Sequence, residues 1–71
     1  MDIRILVGKR IRQLRNKIGI SQEELADIAE LDRTYITSVE RGKRNISIVN
    51  IDKIAKALKV KLNEFFTFDN Y

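Results

Sequence analysis

The sequence has no cysteine, histidine, tryptophan or proline. Disulfide staples, thiolate or imidazole metal sites, and catalysis by either group are therefore excluded. Only three glycines are present, Gly8, Gly19 and Gly42, and none belongs to a phosphate-cradling loop. No enzyme, cofactor or metal is expected. Long apolar runs are also missing: the longest is three residues, for example Ile5-Leu6-Val7. A membrane helix needs roughly 20 and a signal-peptide core about 7 to 15, so a cytoplasmic protein is expected. What remains is 71 residues, 44% hydrophobic and 34% charged, close to a soluble globular average. That points to one small domain over residues 1–71. A chain of this length buries only about 60% of its unfolded surface, which favours a compact core and a partner subunit.

Charge of both signs is abundant but segregated. The formal net charge is +4, yet residues 1–20 carry a local +5, residues 21–40 a local −5, residues 41–62 a local +6 and the tail −2. Two readings stay open. Either the acidic and basic helix faces simply solvate the molecule, or the two basic ends meet one anionic surface.

Apolar spacing and capping signals predict five short helices. Val7, Ile11, Leu14 and Ile18 form one stripe over most of residues 2–18, and Gly19 suits the left-handed position that ends such a helix. Ser21 with Glu24 reads as a capping box, with Ile20 and Leu25 as a hydrophobic staple. The second helix would bury Leu25, Ile28 and Ala29. Asp32 is the next N-cap, and the third helix covers about Arg33 to Arg41, stopped by Gly42. On a helical wheel Ile36 and Val39 share its inner face, Tyr35 flanks them, and Thr34, Thr37, Ser38 and Arg41 lie opposite. Ser47 caps a fourth helix whose inward stripe is Ile48, Ile51, Ile54, Ala55 and Leu58. A fifth turn, Asn63 to Phe66, leads into Phe68 and Tyr71. The fold class is all-α.

Two short helices joined by a tight turn, the second presenting small polar side chains away from the core, suit entry into a major groove about 12 Å wide. The runs Ser21-Gln22-Glu23-Glu24-Leu25-Ala26, Leu31-Asp32-Arg33-Thr34-Tyr35-Ile36 and Val39-Glu40-Arg41-Gly42-Lys43-Arg44-Asn45 resemble the Xre/Cro-type helix-turn-helix family. The nearest resemblance is to the controller proteins of restriction-modification systems. It implies a five-helix, lambda-repressor-like domain with the helix-turn-helix at about 21–41 and a C-terminal dimerisation region at about 46–71.

Carried over residue by residue, the resemblance makes Arg33, Thr34, Ser38 and the neighbouring Thr37 base-reading positions. Arginine suits the guanine O6/N7 pair, and a threonine methyl suits the thymine methyl. Arg33 could instead pair with Glu30 or Glu40. Arg44 would reach DNA from the loop after the third helix, unless that loop is merely a solvated basic segment. Backbone contacts are expected from Ser21, Gln22, Arg41, Lys43 and Asn45. Tyr35 either packs near the sugar-phosphate backbone or covers the core edge. Arg15 and Glu40 match a partly buried structural pair. Lys9, Arg10, Arg12 and Lys17 would give at most long-range electrostatic support. Glu30 and Lys59 stand where the resembling proteins often have glycine, at turns that call for a left-handed backbone.

One recognition helix reads too few base pairs for an operator, so a two-fold dimer on double-stranded DNA is expected. Val49, Ala57, Val60, Phe65 and Phe68 are the candidate interface, while Leu62 and Phe66 are expected to close the core. The resemblance further implies autoregulation, with RNA polymerase as a partner if the protein activates, and nucleoid association when bound. The alternative is a helix-turn-helix interaction module of antitoxin or anti-repressor type with only weak non-specific DNA binding.

Overall fold

The computed structural model describes residues 2–68 and consists there of five helices, α1 (Ile3–Ile18), α2 (Gln22–Ala29), α3 (Arg33–Glu40), α4 (Ile48–Ala57) and α5 (Leu62–Phe65). Tyr71, expected in the aromatic tail, lies outside the described residues. Ser21, Asp32 and Ser47 cap helices where the sequence places them, and Asp2, not expected as a cap, does the same for α1. Each accepts a backbone N–H of the following turn through the side chain, satisfying donors that a helix start would leave unpaired. Ser21 and Glu24 complete the reciprocal box. Gly19 and Gly42 both adopt φ 73°, ending α1 and following the end of α3.

α3 packs against both α1 and α2, α2 also packs on α4, and α4 on α5. One contiguous core results, with Ile11, Leu25, Ile36, Ile54, Leu58 and Phe65 at its centre. Three apolar residues expected inside are not. Ile18, in the last turn of α1, is exposed, because the chain leaves through Gly19 and Ile20 covers the core edge instead. Ile28 is 56% exposed, and Ala26 takes its place in the core. α2 packs on both α3 and α4, and this placement turns Leu25, Ala26 and Ala29 inward. Ile48 is 65% exposed, since Ile46, just before the Ser47 cap, already packs on the core.

The C-terminal end departs most from expectation. α5 spans Leu62–Phe65, one residue earlier at each end than expected. In this register Phe65 is fully buried, while Phe66 and Leu62, expected to close the core, are partly exposed. Arg10 fixes this register: its Nε donates to the Phe65 carbonyl at 2.9 Å and its Nη2 to the Glu64 carbonyl at 2.7 Å. Its role is thus structural, occupying carbonyls that a helix end leaves free, and not only long-range. Ala57 and Phe65, expected at an intermolecular face, lie inside the protomer, and Val60 and Phe68 pack half-buried against its core. Of that set Val49 alone is fully outside, at 62% exposure.

Glu30 and Lys59 adopt φ 58° and 64°. The left-handed turns expected at these two positions form without glycine, at a strain of about 1 to 2 kcal/mol each. At the first, the Leu31 N–H reaches the Ala26 carbonyl at 2.9 Å and the Glu30 N–H the Asp27 carbonyl at 3.3 Å. This paired closure, typical of helix ends, sets the angle at which α3 leaves α2.

Candidate nucleic-acid interface

α3 is held from behind by one buried carboxylate. The Glu40 side chain has no solvent exposure. Its Oε2 accepts Arg15 Nε at 2.8 Å, and its Oε1 accepts Arg15 Nη2 at 3.1 Å, Gln22 Nε2 at 3.1 Å and Arg12 Nε at 3.4 Å. Arg15 also donates to the Ile20 carbonyl at 3.0 Å. The expected Arg15–Glu40 pair is therefore present, and it ties α1, the α1–α2 turn, α2 and α3 to one point. Arg12 joins it, a closer role than the distant support expected of that residue.

Burial alone would push the Glu40 carboxyl up, but hydrogen bonds from Arg15 and Gln22 and the nearby guanidinium charges hold it below its ordinary value. The N-cap carboxyls are lowered as well, Asp2 to about 2 by hydrogen bonding to Arg4, and Asp32 by the hydroxyl and backbone N–H of Thr34. A carboxyl lowered by folding stabilises the native state above its unfolded pKa, and this contribution is lost as pH falls through the folded one. The unfolded references are 4.5 for Glu and 3.8 for Asp. The thermal midpoint should therefore hold from neutrality to about pH 4.5 and fall towards pH 2, measured by circular dichroism. Glu40→Gln should make that fall shallower; an unchanged slope would remove Glu40 as a contributor.

The opposite face of α3 carries the expected polar set. Arg33, Thr34 and Arg41 are exposed, and Thr37 and Ser38 are half-buried. Among the described residues Arg33 has no carboxylate within ion-pair distance, so the pairing with Glu30 or Glu40 does not form and all its donors are free. Thr34 commits its hydroxyl proton to the Asp32 carboxylate, leaving its methyl group as the free feature. Thr37 donates to Gln22 Oε1 at 3.0 Å or to the Arg33 carbonyl at 3.1 Å.

Gln22 was expected at the duplex backbone, and it does sit in the first turn of α2. Its amide, however, bridges Glu40 and Thr37, leaving one side-chain N–H and its main-chain N–H for an outside acceptor. Ser21 keeps its hydroxyl proton, since its Oγ serves the cap as acceptor. Lys43, Arg44 and Asn45 form an exposed loop between α3 and α4.

Of the two roles expected of Tyr35, the structure shows the cover of the core edge. It is half-buried against the core, and its ring carries the Arg44 guanidinium 4.9 Å above the centroid, within cation–π range. Its hydroxyl accepts Asn50 Nδ2 at 3.1 Å. The sequence does not single out Asn50, because an asparagine in the first turn of a helix reads only as solvated. The backbone donors of the helix start, the hydroxyls of α3 and the exposed Arg and Lys groups can together engage a polyanion with groove edges.

Comparison with known proteins places these features in context. A helix-turn-helix family model matches residues 11–65. The chain is 48% identical over 68 residues to the control protein C.BamHI of Bacillus amyloliquefaciens, covering 94% of this chain and 84% of that protein. The restriction-modification controller protein C.AhdI of Aeromonas hydrophila superposes with a TM-score of 0.88 at 47% identity, over 93% of this chain and all of that one. C.Esp1396I bound to a 25 base pair operator site superposes with a TM-score of 0.86 at 38% identity, over 93% of this chain and 87% of that one.

Proposed function

Because the chain belongs to the Xre-type helix-turn-helix family, and within it to the control proteins of restriction-modification systems, we propose that it regulates transcription by binding an operator as a dimer. A member of this family is a DNA-binding regulator and not an enzyme. The observation that carries the reading is an exposed α3 face on which Arg33 has no ion-pair partner among the described residues, braced from behind by the Glu40 cluster. The whole chain acts as one domain, with the helix-turn-helix at about 21–41 and the dimer-forming region from about residue 46. Its place of action is the cytoplasm, on the nucleoid when bound. Among the described residues no helix is long and apolar enough to cross a membrane.

Arg33, Thr34, Ser38 and Arg44 read base edges, with Thr37 beside them, while Ser21, Gln22, Tyr35, Arg41, Lys43 and Asn45 position the backbone. The exposed Ile48 and Val49, with Leu62 and Phe66, supply apolar area for a two-fold partner, with half-sites about 34 Å apart. Restriction-modification control then follows as autoregulation near its own gene, with RNA polymerase as a partner when the bound dimer activates.

In-vitro selection of duplex DNA at about 150 mM salt with excess competitor tests this, since such salt suppresses purely electrostatic binding. A two-fold symmetric motif is expected. An unstructured pool would favour a protein-interaction module instead. On the selected duplex Arg33→Ala should cost about 1 to 3 kcal/mol and relax specificity at one position. Lys43→Ala should weaken every sequence alike and flatten the salt dependence. Equal losses on selected and random DNA for Arg33→Ala would remove it from base reading.

A further inference from the structure

Outside the Glu40 cluster and the Arg10 contacts to α5, separate elements are coupled by Tyr35, Arg44 and Asn50. They come from α3, the α3–α4 loop and the first turn of α4. Asn50 is itself fixed there, because its backbone N–H donates to Ser47 Oγ at 3.1 Å. Its side-chain Nδ2 then donates to the Tyr35 hydroxyl oxygen in a part-buried contact. A phenol that accepts one hydrogen bond keeps its own proton for another partner. Among the described residues that proton has no acceptor. The same bond holds the ring on which the Arg44 guanidinium rests. Arg44 has no carboxylate partner among the described residues, so the ring is its one fixed support.

We propose that Asn50 is a positioning residue for DNA binding: it holds the Tyr35 hydroxyl as an outward donor to a phosphate oxygen and the Tyr35 ring as the platform that aims Arg44. It acts through Tyr35 and makes no contact with the duplex itself. Removing the amide frees the ring to tilt and lets Arg44 sample more orientations. The loss therefore falls on operator binding, where orientation matters, more than on random duplex, where any cation near a phosphate serves.

The proposal rests on the reading of Tyr35 and Arg44 as DNA contacts, and a double-mutant cycle separates the two. The probe is the duplex selected by the unaltered protein, with a random duplex of equal length alongside. Asn50→Ala should weaken operator binding about five-fold, the scale of one hydrogen bond, with a much smaller change on random duplex. In a Tyr35→Phe background, which lacks the hydroxyl that Asn50 holds, the same substitution should change operator affinity less than about two-fold. A five-fold loss persisting in that background would show Asn50 acting elsewhere and overturn the proposal, as would no loss in either. If the unaltered protein fails to discriminate operator from random duplex, the functional reading fails first. Thermal midpoints are recorded for every variant. Should Asn50→Ala melt too low to titrate, Asn50→Ser, which keeps a residue suited to a helix start but cannot reach Tyr35, takes its place with the same expected losses.

Discussion

Glu40→Ala is expected to destabilise the protein by about 3 to 5 kcal/mol, the scale for breaking a buried ion pair by removing one partner. The Glu40 side chain is wholly enclosed and that of Arg15 only 14% exposed, so the substitution leaves a guanidinium largely shielded from water with only the Ile20 carbonyl. Gln22 and Arg12 lose the same acceptor. A domain of this length has roughly 4 to 10 kcal/mol in total, so the variant should sit near the edge of folding. Urea unfolding of the variant beside the unaltered chain measures it. A loss below about 1 kcal/mol would mean that the pair behaves as a surface ion pair. The double replacement Arg15→Met with Glu40→Leu is expected to recover much of the loss, because matched apolar side chains avoid the cost of burying charge. Recovery of stability without recovery of operator binding would show that the cluster's main service is to orient α3.

Gly8→Ala is expected to be nearly as severe, although it adds a single methyl group. Gly8 lies in the middle of α1, where glycine lowers helix stability by about 1 kcal/mol relative to alanine, so on an isolated helix the change would help. Here a Cβ would stand 2.5 Å from the Val39 carbonyl oxygen and 2.6 Å from that of Glu40. Those atoms belong to the backbone of α3 and cannot rotate aside, so α1 and α3 must separate. Overpacking usually costs about 1 to 3 kcal/mol; rigid atoms on both sides put this site at the top of that range or above it, near 3 kcal/mol. The shift would also displace Glu40 from Arg15 and rotate the recognition face, so operator affinity should fall further than stability alone explains. A thermal midpoint equal to or above that of the unaltered chain would show that the close approach does not constrain α3.

Most of the fold is legible in local chemistry. The starts of α2, α3 and α4 are readable because the Ser21, Asp32 and Ser47 caps act within three residues of themselves, and Gly19 and Gly42 mark ends for the same local reason. The helix-turn-helix was readable because a two-sided helix such as α3 separates its apolar and polar residues by angle alone. Arg15 and Glu40 were paired through family resemblance, since nothing in their spacing of 25 residues brings them together.

What the chain alone left open are the choices made between helices. Ile28 and Ile48 look as apolar as Ile36 or Ile54, and only the packing of α2 between α3 and α4, and of Ile46 over the core, decides which are buried. Phe65 rather than Phe66 fills the core, a choice that no periodicity over the four residues of α5 can fix. The demand for glycine at position 8 arises from carbonyls more than 30 positions away in the chain. Asn50 meets Tyr35 across 15 residues. Local sequence therefore determined the five helices, the Ser21, Asp32 and Ser47 caps and the polar face of α3, because capping and amphipathicity act over one or two turns. The tertiary structure alone decided which apolar groups remain outside and which polar groups brace that face, because close packing and buried hydrogen bonds are properties of neighbours in space.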